Sequence, residues 1–147
     1  MKKIFTAVLI FLNFYIFSDQ IKFINELTEK EYATISDLVI SFCYLYNIEV
    51  SEDFNTNVNN LSKFINKFPK NMDNNRVATI GDFSLFAAQY LNLKSGLFYL
   101  ATKSGRYAAR ELMLINIIQY NTSEFEKISG EDLLKYLEKV IEYEEKD

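Results

Sequence analysis

The chain has 147 residues, of which 49% are hydrophobic and 16% aromatic, and its formal net charge is −4. This composition predicts one folded globular domain with a real core and excludes a disordered chain. The chain has no His and one Cys, Cys43, which excludes histidine-dependent catalysis, histidine metal sites and an intramolecular disulfide. An acidic chain with scattered Lys also lacks the concentrated basic face that nucleic-acid binding requires.

The N-terminal segment has the three-part layout of a secretory signal peptide. Met1-Lys2-Lys3 is basic, residues 4–17 form an apolar run interrupted by Asn13, and Ser18 is a small residue at the cleavage position. The run is shorter than the roughly 20 apolar residues of a membrane-spanning helix. We therefore predict a cleaved signal peptide over residues 1–18 and one mature domain over residues 19–147, with an uncleaved N-terminal anchor as the alternative.

The predicted elements after this segment are helices. Apolar residues recur at helical spacing, whereas residues 96–100 (GLFYL) form the only candidate strand. Residues 51–75 read as a polar connector around a weaker helix, and residues 95–96 (Ser-Gly) supply a stop for the helix before them. The helix over residues 106–118 is apolar around most of its surface, which predicts a central position. The predicted helices cover residues 21–30, 35–46, 58–68, 80–91, 106–118 and 133–141.

Two segments of the chain repeat each other. Residues 33–50 (ATISDLVISFCYLYNIEV) and residues 78–95 (ATIGDFSLFAAQYLNLKS) share Ala, Thr, Ile, Asp and Asn in register. Such a repeat indicates duplicated supersecondary units that bury their apolar faces against each other. We predict an all-α domain of about five to six helices built from two or three helix-loop-helix units. Cys43, inside one repeat, is predicted to be a buried and inert thiol.

Each repeat opens with a helix-start signal. Thr34 and Thr79 stand three residues before an Asp, and Ser129 stands in the same relation to Asp132. A hydroxyl at this position accepts a hydrogen bond from a free backbone N–H, and a carboxylate suits the positive end of the helix dipole. We predict Thr34, Thr79 and Ser129 as structural N-caps. The alternative gives the three Asp residues a catalytic or metal-binding role, but capping explains them without a further assumption.

The order of these elements resembles the S-layer homology module, in which an apolar helix leads through a loop to a Thr-Arg-Ala-Glu helix start. Residues 117–119 (Ile-Ile-Gln) resemble its first landmark, and residues 79–82 and 128–131 resemble its second. The chain is also similar to short exported bacterial proteins of unassigned function that share a Gly-Asp helix start and the Arg106-Tyr107-Ala-Ala-Arg110-Glu111 pattern. The resemblance implies a helical module that binds cell-wall polymers. This chain has Ile80 and Gly130 in place of the motif's Arg.

The remaining polar cluster comprises Arg106, Tyr107, Arg110 and Glu111. The two arginines are four residues apart, so they share a helix face and can form a fork for a carboxylate or phosphate. This predicts a binding site. In the alternative, Arg110 pairs internally with Asp82 or Glu111 and orients its helix.

These observations predict a non-catalytic exported module, periplasmic or associated with the cell envelope. Its expected partner is a cell-envelope polymer or another exported protein, with no nucleic acid, no cofactor, no metal and no stable membrane insertion after signal cleavage. Two alternatives stay open. One is an accessory protein tethered by an uncleaved anchor, and the other is a glycan hydrolase that uses Glu111 and Asp82 as acid and base.

Overall fold

The computed structural model of the protein describes residues 17–94 and 97–146. Most of the predicted signal peptide, residues 1–16, and the predicted Ser95-Gly96 stop therefore lie outside the described residues. Within the described residues, no helix is both long enough and apolar enough to cross a membrane.

The described chain is helical, which confirms the predicted all-α class. Its β pairing is confined to isolated bridges, between Thr34 and Val77 and between Thr79 and Lys127, and the described residues form no sheet. Seven helices follow one another along these residues: α1 (residues 17–28), α2 (Ile35–Leu45), α3 (Phe54–Leu61), α4 (Ile80–Tyr90), α5 (Leu97–Thr102), α6 (Gly105–Leu114) and α7 (Gly130–Glu144).

Three helices begin with a hydroxyl N-cap that accepts from the backbone N–H three residues later. Thr34 is the N-cap of α2, where its Oγ1 accepts from the N–H of Asp37 at 3.2 Å and its own N–H donates to the Asp37 carboxylate at 2.8 Å. Thr79 and Asp82 form the same capping box at the start of α4. Ser129 caps α7 by accepting from the N–H of Asp132 at 3.0 Å. These caps satisfy backbone donors that a helix start would otherwise leave open.

Three helices also end in the same way, on an Asn in the left-handed region. Asn47, Asn92 and Asn116 follow α2, α4 and α6 with φ values of 55°, 51° and 61°. In each case the next residue donates its N–H back into the helix, as Leu93 does to the carbonyl of Ala88 at 3.0 Å. The helix predicted over residues 80–91 is matched to within one residue by α4, which ends at Tyr90, whereas the end predicted for α6 is wrong, since that helix ends at Leu114 rather than residue 118.

A closed ring of backbone hydrogen bonds joins the three capped helices. The N–H of Ala33 donates to Ile128 at 2.8 Å, that of Ile128 to Ala78 at 3.1 Å, and that of Ala78 to Ala33 at 2.8 Å. Each of these residues directly precedes an N-cap. The first residues of the three helices form a second set of bonds that runs around the ring in the opposite direction, because Ile35, Ile80 and Gly130 donate to the carbonyls of Arg76, Glu126 and Lys30.

The ring defines three helix-loop-helix units, α1–α2, α3–α4 and α6–α7, in a pseudo-threefold arrangement. The core lies between them and centres on the aromatic rings of Phe42, Phe83 and Phe86, with ring centroids 5.3 Å apart for Phe42 and Phe86. Helix α4 is the most buried element, since residues 83–88 are all buried.

Three further sequence predictions are corrected. Helix α6 is not central, because it buries only Ala108, Ala109 and Leu112. Helix α3 begins four residues before the predicted 58–68 segment, since Asp53 caps it by accepting from the N–H of Thr56 at 2.7 Å. The described part of the candidate strand, residues 97–100, is instead in helix α5, in which Tyr99 is buried against Ala88 and Ala108.

Candidate binding site beside helix α6

Helix α6 holds Arg106 and Arg110 on its exposed face. Its buried residues point toward α4, so the arginines, four residues apart, project from the other side. Both line one cavity of about 530 Å³ between α6 and the loop that follows it. The other lining residues are Ala109, Met113, Leu114, Tyr120, Asn121, Thr122 and Glu124.

The loop over residues 119–127 forms the second wall of the cavity and is anchored to α4. The N–H of Gly81 donates to the carbonyl of Glu124 at 2.9 Å, and a Cβ at Gly81 would lie only 3.0 Å from that oxygen. Gly105, the first residue of α6, is equally close: a Cβ there would lie 2.5 Å from the carbonyl oxygen of Gly81. The two glycines thus let α6 and the loop meet the same turn of α4, which fixes both cavity walls.

The cavity carries more positive than negative charge. Arg106 Nε lies 3.8 Å from Glu124 Oε1, which is an ion pair but too long for a hydrogen bond. The Arg110 guanidinium carbon lies 5.6 Å from the centre of the Tyr107 ring, within cation–π range. Two guanidinium groups and one carboxylate leave a net positive site on an acidic protein, and both arginines keep donors that a ligand can use.

The predicted site residues occupy different positions around this cavity. Arg106 and Arg110 line it, Tyr107 lies beneath Arg110, and Glu111 is half-buried on α6 outside the lining. The sequence did not predict the residues of the second wall, which are Tyr120, Asn121, Thr122 and Glu124. The sequence does show an aromatic and polar segment directly after the helix that carries the arginines. No local sequence pattern, however, indicates that such a loop folds back against that helix.

Asp82 does not pair with Arg110. Its two carboxylate oxygens accept from Arg76 NH1 at 2.9 Å and NH2 at 3.1 Å, and one of them also accepts from the Thr79 N–H. Asp37 is held similarly, with Lys30 Nζ at 2.6 Å. These carboxylates belong to helix starts. In the described parts of the chain, no group of three or more Cys, Asp or Glu side chains is arranged to hold a metal ion.

Comparison with known proteins found no matching family model, no similar curated protein and no similar solved structure. The resemblance to S-layer homology modules therefore stays a prediction from the sequence.

Proposed function

We propose that this protein is an exported, non-catalytic helical module that binds a cell-envelope component or another exported protein through the cavity beside α6. The observation that carries the proposal is the pair Arg106 and Arg110, exposed on one helix face and lining a cavity of about 530 Å³. A cavity of this volume is within the size range of ligand sites, and its lining combines apolar side chains with polar groups that can orient a ligand.

The N-terminal segment supports export. Its basic start, apolar run and small residue at position 18 fit a signal peptide, after which the domain acts outside the cytoplasm.

The state of the carboxylates supports binding rather than catalysis. Asp82, the base of the hydrolase alternative, accepts hydrogen bonds from Arg76 and from the N-cap Thr79. Asp82 is thus engaged by the start of α4, and it does not line the cavity beside α6.

Co-sedimentation with purified cell-wall sacculi, and capture of exported proteins by chemical cross-linking, test the proposal. We expect one of these preparations to retain the protein. The Arg106→Ala/Arg110→Ala double variant should not bind to that preparation. Lys135→Ala/Lys139→Ala, which removes two exposed charges from α7, is the matched control and should bind normally. Equal binding of the arginine variant and the protein would contradict a role for the cavity.

A second candidate function is that of an accessory protein tethered to the membrane by an uncleaved N-terminal anchor. It is favoured by the exposed apolar stripe of α1, formed by Phe17, Ile21 and Ile24 at spacings of four and three residues. In the sequence, Phe17 is the last residue of the apolar run over residues 4–17. Intact mass of the exported protein separates the two: loss of residues 1–18 supports the cleaved module, and an intact Met1 end supports the anchor.

A further inference from the structure

Exposed apolar side chains are grouped around the arginine cavity. Leu114, Tyr120 and Phe125 are 71%, 74% and 79% exposed, the highest values among the large hydrophobic side chains of the described chain. Leu114 and Tyr120 line the cavity, and Phe125 is the next residue in the chain after the lining residue Glu124. Isolated exposed apolar residues are ordinary, but such a group at one concavity marks an interaction surface.

The charge of the cavity limits what binds there. Arg106 and Arg110 attract an anion, whereas Glu124, 3.8 Å from Arg106, repels any second negative charge. A group with one negative charge, such as a carboxylate, therefore fits better than a phosphate dianion. Guanidinium donors also match the two oxygens of a carboxylate.

The walls of the cavity indicate what is attached to that carboxylate. Met113 and Leu114 are flexible aliphatic side chains, which pack well against another apolar side chain. A glycan presents hydroxyl groups around most of its surface, and those that face Met113 and Leu114 would be left without partners. Asn121, on the other wall, has an amide that both donates to and accepts from a peptide group.

We propose that the cavity binds the C-terminal carboxylate of another exported polypeptide that ends in an apolar residue. Arg110 and Arg106 hold the carboxylate, Met113, Leu114 and Tyr120 contact the last side chain, and Asn121 binds the last peptide group. The inference rests on the proposed function, because it names the ligand class of that same site.

Isothermal titration of the protein, in the form in which it is exported, with short N-acetylated peptides tests the inference. One peptide ends in Leu with a free carboxylate, a second has the same sequence with a C-terminal amide, and a third ends in Ser with a free carboxylate. We expect the first to bind and each of the others to bind at least about tenfold more weakly, because the second loses the charge-assisted hydrogen bonds and the third loses the apolar contact.

Variants of the protein test whether Arg110 recognises the carboxylate of the peptide. Arg110→Gln should weaken binding of the Leu carboxylate at least about tenfold and leave the amide nearly unchanged, while Lys139→Gln on α7 should change neither. Circular dichroism of each variant confirms the fold.

Equal binding of the carboxylate and the amide would overturn the inference. So would binding of no peptide by a protein that still sediments with sacculi through Arg106 and Arg110, in which case the ligand is a glycan and the proposed function stands. Failure of the folded protein to bind peptides, sacculi and exported proteins alike would overturn both the inference and the proposed function.

Discussion

The arginine residues of this chain differ in what surrounds them, and burial decides what each contributes. Arg76 and Asp82 have side chains only 26% and 12% exposed, and they meet through two hydrogen bonds. Arg76 also donates to the carbonyl of Asn71, which fixes the loop before α4. Arg106 is far more exposed and its ion pair is longer. Arg76 is therefore a structural residue, and Arg106 is free to serve a ligand.

Arg76→Ala should lower the free energy of unfolding by about 1–3 kcal/mol, because Asp82 is left partly buried without its cation. Lys135→Ala removes a pair of similar length, 2.9 Å to Glu131, but those side chains are 58% and 66% exposed. That loss should be clearly smaller, because solvent screens an exposed ion pair. Urea unfolding measures the loss in the free energy of unfolding for each variant. Equal losses would contradict the conclusion that burial makes the Arg76 pair the stronger one.

The Cys43 thiol gives the fold an alkaline limit. It is fully buried, and burial raises its pKa from 9.0 to about 11 because the thiolate is disfavoured in the core. The stability that follows from this shift is complete below pH 9.0 and is lost as the pH rises through about 11.

Comparison of the protein with Cys43→Ala tests this limit, since the buried tyrosines are common to both. Urea unfolding at about pH 8 and about pH 11 should show the protein losing about 2 kcal/mol more than the variant over this range. A stability difference that is independent of pH would contradict it.

At the scale of the elements, the Asn residues that end three helices use a costly backbone conformation. Asn92 has a φ of 51°, where residues with a Cβ are strained and Gly is not. Asn92→Gly should keep or raise the free energy of unfolding by up to about 1 kcal/mol, and Asn92→Ala should lower it by about 1 kcal/mol. Thermal unfolding of the two variants checks the order, which would be reversed if helix propensity dominated.

Gly130 sits where α7 meets α1. A Cβ there would lie 1.7 Å from the carbonyl oxygen of Leu27, so the backbone of one helix must move. Helix propensity alone would make Gly130→Ala stabilising by about 1 kcal/mol, whereas the contact predicts a loss of more than about 2 kcal/mol. Glu138→Ala, exposed on the same helix, is the control and should change stability by less than about 0.5 kcal/mol. Increased stability of the Gly130 variant would show that the contact is absent.

Sequence reasoning succeeded for elements whose signals are local. The N-caps Thr34, Thr79 and Ser129 each act on a residue three positions away, and the spacing of Arg106 and Arg110 places them on one face whatever the surroundings. The Asn helix ends carried a signal too, an Asn between two apolar residues, but Asn is also common in loops. Helix α5 was not predicted, and its segment was the only strand candidate, because a short apolar run does not distinguish a helix from a strand.

At the scale of the whole molecule, the ring could not be predicted, because its hydrogen bonds join residues far apart in sequence. Ala33, Ala78 and Ile128 lie in different units, and their bonds unite the first and last parts of the chain. The second wall of the cavity was missed for the same reason, since Glu124 is placed by Gly81 of the preceding unit.

The ring predicts cooperative unfolding. The amides of Ala33, Ala78 and Ile128 should exchange with solvent together and at the slowest rate, since opening one bond requires the units to separate. The amides of Thr122 and Glu126, in the exposed loop of the cavity, should exchange through faster local opening. Hydrogen exchange followed by NMR measures both sets, and a fast amide at any of the three ring positions would contradict a closed ring.

The residues that form the ring are different from those that line the cavity. Each of the three units contributes one helix start to the ring. Only the α6–α7 unit carries Arg106 and Arg110, and its loop forms the other wall of the cavity. The carboxylates of the first two helix starts are held by Lys30 and Arg76. Within the described residues, the carboxylates of these helix starts are thus bound by other residues of the domain. Arg106 and Arg110, in the cavity, keep N–H donors that a ligand can use.

The most direct test of this account is the arginine side-chain NMR spectrum during titration with the partner fraction that retains the protein. The sequence contains three arginines, so three Nε–Hε signals report on Arg76, Arg106 and Arg110. We predict that the signals of Arg106 and Arg110 shift as the ligand is added, while that of Arg76, held by Asp82, stays in place. Binding that moves the Arg76 signal, or that leaves all three unchanged, would contradict the cavity beside α6 as the binding site.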